Sequence, residues 1–178
     1  MPGKSLTAEQ VLPLLTETPP RIAEITIGLT PAQLRTYPGP DEWSANDVLS
    51  HLRSCADVWG GCIATIVAED HPTIRAVNPT SWIKQTDYPD LEFRESLDVY
   101  ARQRSELLTF LQSLPGEAWF RKATVTGAGN VLERTVLSYA QRLARHERPH
   151  IKQIERIAAA IHVEIANVSD AGTRSPLA

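Results

Sequence analysis

The stretch VLERTVLSYAQRLARHERPHIKQIERIAAAI, residues 131–161, decides the fold. With Leu132 at angle zero and about 100° per residue, Val136, Tyr139, Leu143, Ile154, Ile157 and Ile161 cluster on one side. This is the apolar stripe of a helix packed against a core. His146 and His150 fall within it, one turn apart, so both imidazoles share a face. Two histidines so placed match a metal site facing into a helical bundle. The spacing alone also fits two buried, hydrogen-bonded histidines, because imidazole is a half-polar core group. Glu147 completes H-E-x-x-H literally, yet Pro149 lies inside the motif and no third ligand follows at a metzincin spacing. The helix is predicted from about Val131 to Ala160. Pro149 removes its backbone bond to the Arg145 carbonyl and should bend it locally.

Three more helices follow from the same periodicity. The first spans roughly Thr7 to Leu29, with Thr7 and Gln10 as a capping box and Pro19-Pro20 expected to kink or interrupt it. The second starts sharply: Ser44 is the N-cap, Asp47 stands three residues on, and Trp43 and Val48 are placed for a hydrophobic staple. It runs to about Ala68 with Val48, Leu52, Cys55, Trp59, Cys62 and Ile66 inward and His51 at the stripe's edge. The third runs from about Leu91 to Leu114. Arg104 lies near the centre of its stripe, where a lone charge is costly, and Glu147 is a candidate partner. Residues 70–90 carry no period, and a linker of that length is more often functional than not. Trp82 and Tyr88 either line a ligand pocket there or pin the loop to the bundle. Residues 115–130 read as a second irregular connection. One domain is expected over 1–165, followed by a mobile tail over 166–178.

Composition narrows the function classes. A length of 178 residues with 42% apolar content suits one soluble globular domain. A net charge of −3 offers no basic field for nucleic acid. Cys55 and Cys62 stand two helical turns apart, too far for a disulfide, and read as reduced core thiols. The N-terminus lacks a signal core and no stretch approaches membrane-spanning length, so the expectation is a cytoplasmic protein without a membrane partner.

With these pieces placed, the chain resembles the DinB/YfiT-like family of metal-binding four-helix bundles over about residues 8–160. The marks are Asp41-Glu42-Trp43-Ser44, Val48-Leu49-Ser50-His51-Leu52, Pro72-Thr73-Ile74-Arg75, Tyr100 with Arg104, and His146-Glu147-x-x-His150-x-x-Gln153. The resemblance implies an all-α, up-down-down-up four-helix bundle whose second and third helices are joined by the long linker. It implies that His51, His146 and His150 together bind a divalent metal, usually zinc or nickel, and that homodimers are common. Pro149 departs from the family pattern, where a helix former is usual.

Three neutral imidazoles with open positions for water make a catalytic rather than a closed structural site. Such an ion can activate water or polarise a carbonyl, as in a hydrolase, with Glu147 or Asp57 handling protons; Asp57 projects away from the inner stripe. It can equally activate a low-molecular-weight thiol for transfer or isomerisation, with Arg104, Arg75 and Trp82 holding the small-molecule cosubstrate. The absence of a convincing general base favours thiol chemistry. A stress-associated, non-catalytic metal-binding protein is the third reading. It gains if Cys55, one turn after His51, closes the coordination, whereas core packing is the usual state of a buried cysteine.

Overall fold

A computed structural model describes residues 5–173, with side chains through Val163. Four long helices dominate it: α1 (Ala8–Ile25), α2 (Ala45–Ala68), α3 (Phe93–Ser113) and α4 (Val136–Thr173). Their starts are set by side chains that satisfy free backbone N–H groups. The Gln10 amide oxygen accepts from the Thr7 N–H at 3.0 Å. Ser44 and Asp47 cap α2 reciprocally, at 3.2 and 3.0 Å. At α3 the Glu92 carboxylate accepts from the Arg94 and Glu95 N–H groups. The helix α1 runs unbroken through Pro19 and Pro20 and stops at Ile25, short of the expected Leu29, where Gly28 turns the chain at φ +79°. Pro149 likewise leaves α4 continuous. The expected tail, 166–178, is helical through Thr173 and otherwise lies outside the described residues.

Contacts between helices give the topology. Leu6, Thr18 and Arg21 meet Gln141, Glu147 and Glu155 in that order, so α1 and α4 run parallel. Arg53 meets Ser96 and Asp57 meets Gln103, so α2 and α3 run parallel too. Thr26 meets Arg94, while Thr18 and Arg104 share Glu147, so α1 opposes α3. The bundle is therefore up-down-down-up. Parallel neighbours force the chain to return the length of a helix, and 24 residues span about 36 Å. The length of the 69–92 linker thus follows from the topology.

That linker is better ordered than its sequence suggests. It holds a strand, β1 (Thr73–Arg75), then a single helical turn at Pro79–Trp82 and a 3₁₀ turn at Ile83–Gln85. The second connection holds β2 (Lys122–Thr126) and β3 (Leu132–Thr135), a hairpin whose turn contains Gly127 and Gly129 at φ +82° and +85°. The strand β1 pairs parallel with β2 in a three-stranded sheet ordered β1-β2-β3. Residues 131–135 are accordingly loop and strand, and α4 begins at Val136 rather than Val131. Among the described residues no helix is long and apolar enough to cross a membrane.

The core divides into two apolar clusters. One, beneath the sheet, includes Val11, Leu15, Trp59, Ile63, Val125 and Leu143. The other includes Ile22, Val48, Leu52, Phe93, Leu97 and Ile154. Between them lies a polar layer. Arg104, 2% exposed, forks onto Glu147, 1% exposed, whose Oε2 also accepts from the Thr18 hydroxyl at 2.8 Å. Tyr100 OH accepts from Arg104 at 2.9 Å. This confirms the pairing anticipated for Arg104. In the metal-free protein, Glu147→Ala is expected to lower the urea unfolding free energy by about 3–5 kcal/mol, because it strands a buried guanidinium. Adding Arg104→Met should recover most of that loss. A double variant no more stable than the single one would show that charge compensation is not what the pair supplies.

Candidate metal centre

The helices α2 and α4 run antiparallel and bring three imidazoles to one point. His146 and His150, one turn apart on α4, face His51 in the second turn of α2. His51 Nε2 lies 2.9 Å from His146 Nε2, and His150 Nε2 lies 3.2 Å from the same atom. The ring centroids stand 4.7–5.1 Å apart. The Cys55 Sγ lies 3.5 Å from His51 Nε2, and the ligand atoms of His51, Cys55 and His146 fall within 4.8 Å of one another. Donors around a tetrahedral zinc ion stand about 3.3 Å apart for nitrogen pairs and about 3.6 Å for nitrogen and sulfur. The observed separations are close to both.

The surroundings orient the rings. Gln153 Oε1 accepts from His150 Nδ1 at 3.0 Å, which leaves His150 Nε2 with its lone pair toward the other two rings. A single proton bridges only one pair of three converging nitrogens, whereas one cation satisfies all three. Trp43 stacks on His150 at 6.1 Å and meets His51 edge-on at 5.1 Å. Trp59 meets His146 edge-on at 5.0 Å on the other flank. His51 is buried, while His146 and His150 are half-buried, so the site opens outward between the two helices. Burial, then the neighbouring His150, pushes His51 and His146 down to about 4, so both keep free lone pairs at neutral pH. Burial, then the Glu147 carboxylate, pushes the Cys55 thiol up to about 12.

Residues 14–154 match the sequence model of the DinB superfamily. The chain belongs to the DinB superfamily. No curated protein matches it. Among solved structures it is similar to YfiT from Bacillus subtilis, described as a probable metal-dependent hydrolase with an unusual four-helix bundle topology. The TM-score is 0.76 at 19% identity, over 91% of this chain and 93% of that one. At that identity the likeness concerns the fold.

Against this DinB frame, the other residues singled out in the sequence have definite places. Glu147 and Arg104 are committed to each other in the polar layer, with Thr18 of α1 as the second partner of Glu147. Asp57, off the inner stripe, anchors the linker: it accepts from Trp82 Nε1 at 3.2 Å, Tyr88 OH at 2.7 Å and Gln103 Nε2 at 2.6 Å. Trp82 and Tyr88 pin the loop through these bonds and also line a cleft of about 640 Å³ with Arg104 and Phe110. Arg53, which the sequence reading passed over, is buried beneath the Tyr88 ring at 3.8 Å and donates to Ser96. Arg75 is exposed on β1 and shares a hollow of about 190 Å³ with Trp82 and Cys62, a hollow that none of the three histidines lines. Trp43, placed by sequence as a helix staple, lies against two of the histidines. Trp59 and Arg142 also went unremarked as site residues, although Arg142 stands one turn before His146 on the same face. The i−4 spacing was the available signal.

Folding the metal-free protein buries His51 and His146 neutral, while the unfolded chain protonates histidine near 6.5. Below that value only the unfolded state gains protons, so stability present above pH 6.5 is lost as the pH falls toward about 4. Urea unfolding of chelated protein across this range is expected to show the decline, with a shallower slope in a His51→Ala/His146→Ala variant. An equal slope in that variant would assign the decline to other groups.

Proposed function

We propose that this protein is a metal-dependent enzyme whose ion, zinc or nickel, is held by His51, His146 and His150. The observation that carries the reading is the convergence of the Nε2 atoms of these residues, two of them half-buried, at a site open to solvent. A divalent ion held there supplies a Lewis acid and lowers the pKa of a thiol or water that reaches it. The chain's own residues do the rest. Gln153 fixes the His150 tautomer, Trp43 and Trp59 wall the opening, and the Arg104–Glu147 pair holds α4 in its orientation as a positioning element. No carboxylate within this set is free to act as general base, since Glu147 and Asp57 are both engaged.

That lack favours transfer of a low-molecular-weight thiol, which needs no base once ionised. The thiol sulfur bonds to an electrophilic carbon, the leaving group departs with its electron pair, and the thiol proton passes to solvent. The second reading, a hydrolase, draws on the similarity to YfiT. A third, non-catalytic reading requires Cys55, whose Sγ lies 3.5 Å from His51 Nε2, to close the site as a thiolate.

Elemental mass spectrometry of wild type is expected to find about one divalent ion per chain, lost in His51→Ala and in His150→Ala. Metal retained in both variants would overturn the three-histidine assignment. In the cobalt-substituted protein no thiolate-to-cobalt charge-transfer band is expected until a small thiol is added. A band already present in wild type and lost in Cys55→Ala would favour the closed site. Small thiols that leave the spectrum unchanged would sink the transfer reading, and metal-dependent turnover of an ester or amide would then support the hydrolase.

A further inference from the structure

The opening beside His146 continues into an unusually basic trough. A cleft of about 440 Å³ has Arg134, Ser138, Arg142, Arg145, His146 and Pro149 in its wall. A second, of about 470 Å³, runs beneath the β2–β3 hairpin past Trp59, Asn78 and Gly127. The two meet at Arg134, Tyr139 and Arg142, which line both. Among the described residues neither wall contains an aspartate or a glutamate, in a chain where acidic residues outnumber lysine and arginine by 21 to 18.

The two shared arginines differ from the cations that the fold holds in its own ion pairs and hydrogen bonds. Arg21, Arg104 and Lys122 each hold a carboxylate. Arg53, Arg94 and Arg121 each donate to a hydroxyl or to backbone carbonyls. Among the described residues, Arg134 and Arg142 make neither a side-chain hydrogen bond nor an ion pair. The Arg142 guanidinium lies 4.5 Å over the Trp59 ring, which is the ring that meets His146 edge-on. That contact holds the guanidinium beside the ring while its N–H groups have no side-chain partner, a guanidinium fork being suited to a bidentate oxyanion. Arg142 also precedes His146 by one turn on α4, about 6 Å along the axis.

We propose that this trough is a subsite for the anionic group of the substrate, a carboxylate or a phosphate, held by Arg142 and Arg134 while the other end of the molecule reaches the three histidines. The placement of the reacting end rests on the metal-enzyme reading above; the oxyanion site does not. The substrate class is then a small organic anion rather than a neutral or cationic molecule. Charge-assisted contacts in a partly enclosed site set both its affinity and its direction of entry.

Isothermal titration of the full chain with succinate, inorganic phosphate and neutral succinamide tests this, in metal-loaded and in chelated protein. At least one anion is expected to bind both forms about tenfold or more tighter than succinamide, and which one binds separates the carboxylate from the phosphate class. Arg142→Gln should weaken it about tenfold, and Arg134→Gln/Arg142→Gln should abolish it, with metal content and Tm as in wild type. Anions that bind no tighter than succinamide, that bind the double variant undiminished, or that bind only when metal is present would overturn the proposal. Because the chelated protein carries the decisive titration, absence of a metal would refute the enzyme reading while leaving this result legible.

Discussion

A carboxylate buried to 1% exposure must have its charge answered, and at Glu147 that requirement sets the rotation of the last helix. Arg104 from α3 and Thr18 from α1 hold it from one side. Successive helical residues are about 100° apart, so with Glu147 held between α1 and α3, His146 and His150 must face α2, where His51 stands. A roll of α4 by one residue in one direction would put a histidine against Arg104, and in the other would turn Glu147 toward His51. The ion pair therefore aims the site without taking part in it. Burial of Tyr100 itself, then the Glu147 carboxylate beside it, raises that phenol well above its ordinary range.

The second constraint is direction. With α2 and α3 parallel, the chain must travel back along the bundle, and the protein fastens the returning segment rather than leaving it loose. Asp57 takes Trp82 and Tyr88, and Arg53 lies beneath Tyr88. Arg35 donates to the carbonyls of Pro89, Asp90 and Leu91 at 2.7–3.0 Å. At the far end, β1 adds itself to the hairpin before α4, so the sheet ties the two long connections together and closes one wall of the basic trough.

Much of this was legible in the residues because it depends on local spacing. The i, i+4 histidines, the Ser44 and Thr7 caps and the apolar stripes all follow from the helical repeat, and the cost of a buried charge pointed from Arg104 to Glu147. The sheet was not legible. Its strands are three to five residues long, and β1 finds its partner some fifty residues away, from Thr73 to Thr124, a pairing that no local period records. The strand β3 was absorbed into the helix because Leu132 happens to sit in phase with the stripe of α4. The work of Asp57 was hidden for the opposite reason. It lies off the core face by helical count, and only the path of the linker turns that outer position into an anchor. Trp43 satisfied a local capping pattern, and its place beside the histidines depends on α4, a hundred residues later.

The diagonal placement of consecutive helices also governs when, during synthesis, the protein can become itself. The helix α1 and its successor α2 lie across the bundle from each other, so these two helices, made one after the other, have little shared face to close. The earliest side-by-side pair is α2 with α3, and α1 gains both flanking neighbours only once α4 has emerged. His51 waits through about a hundred residues of further elongation for the two histidines that complete its cluster. Contacts that close over such separations slow folding. In a cell, a nascent chain of this design carries an unfinished histidine cluster until α4 has been made.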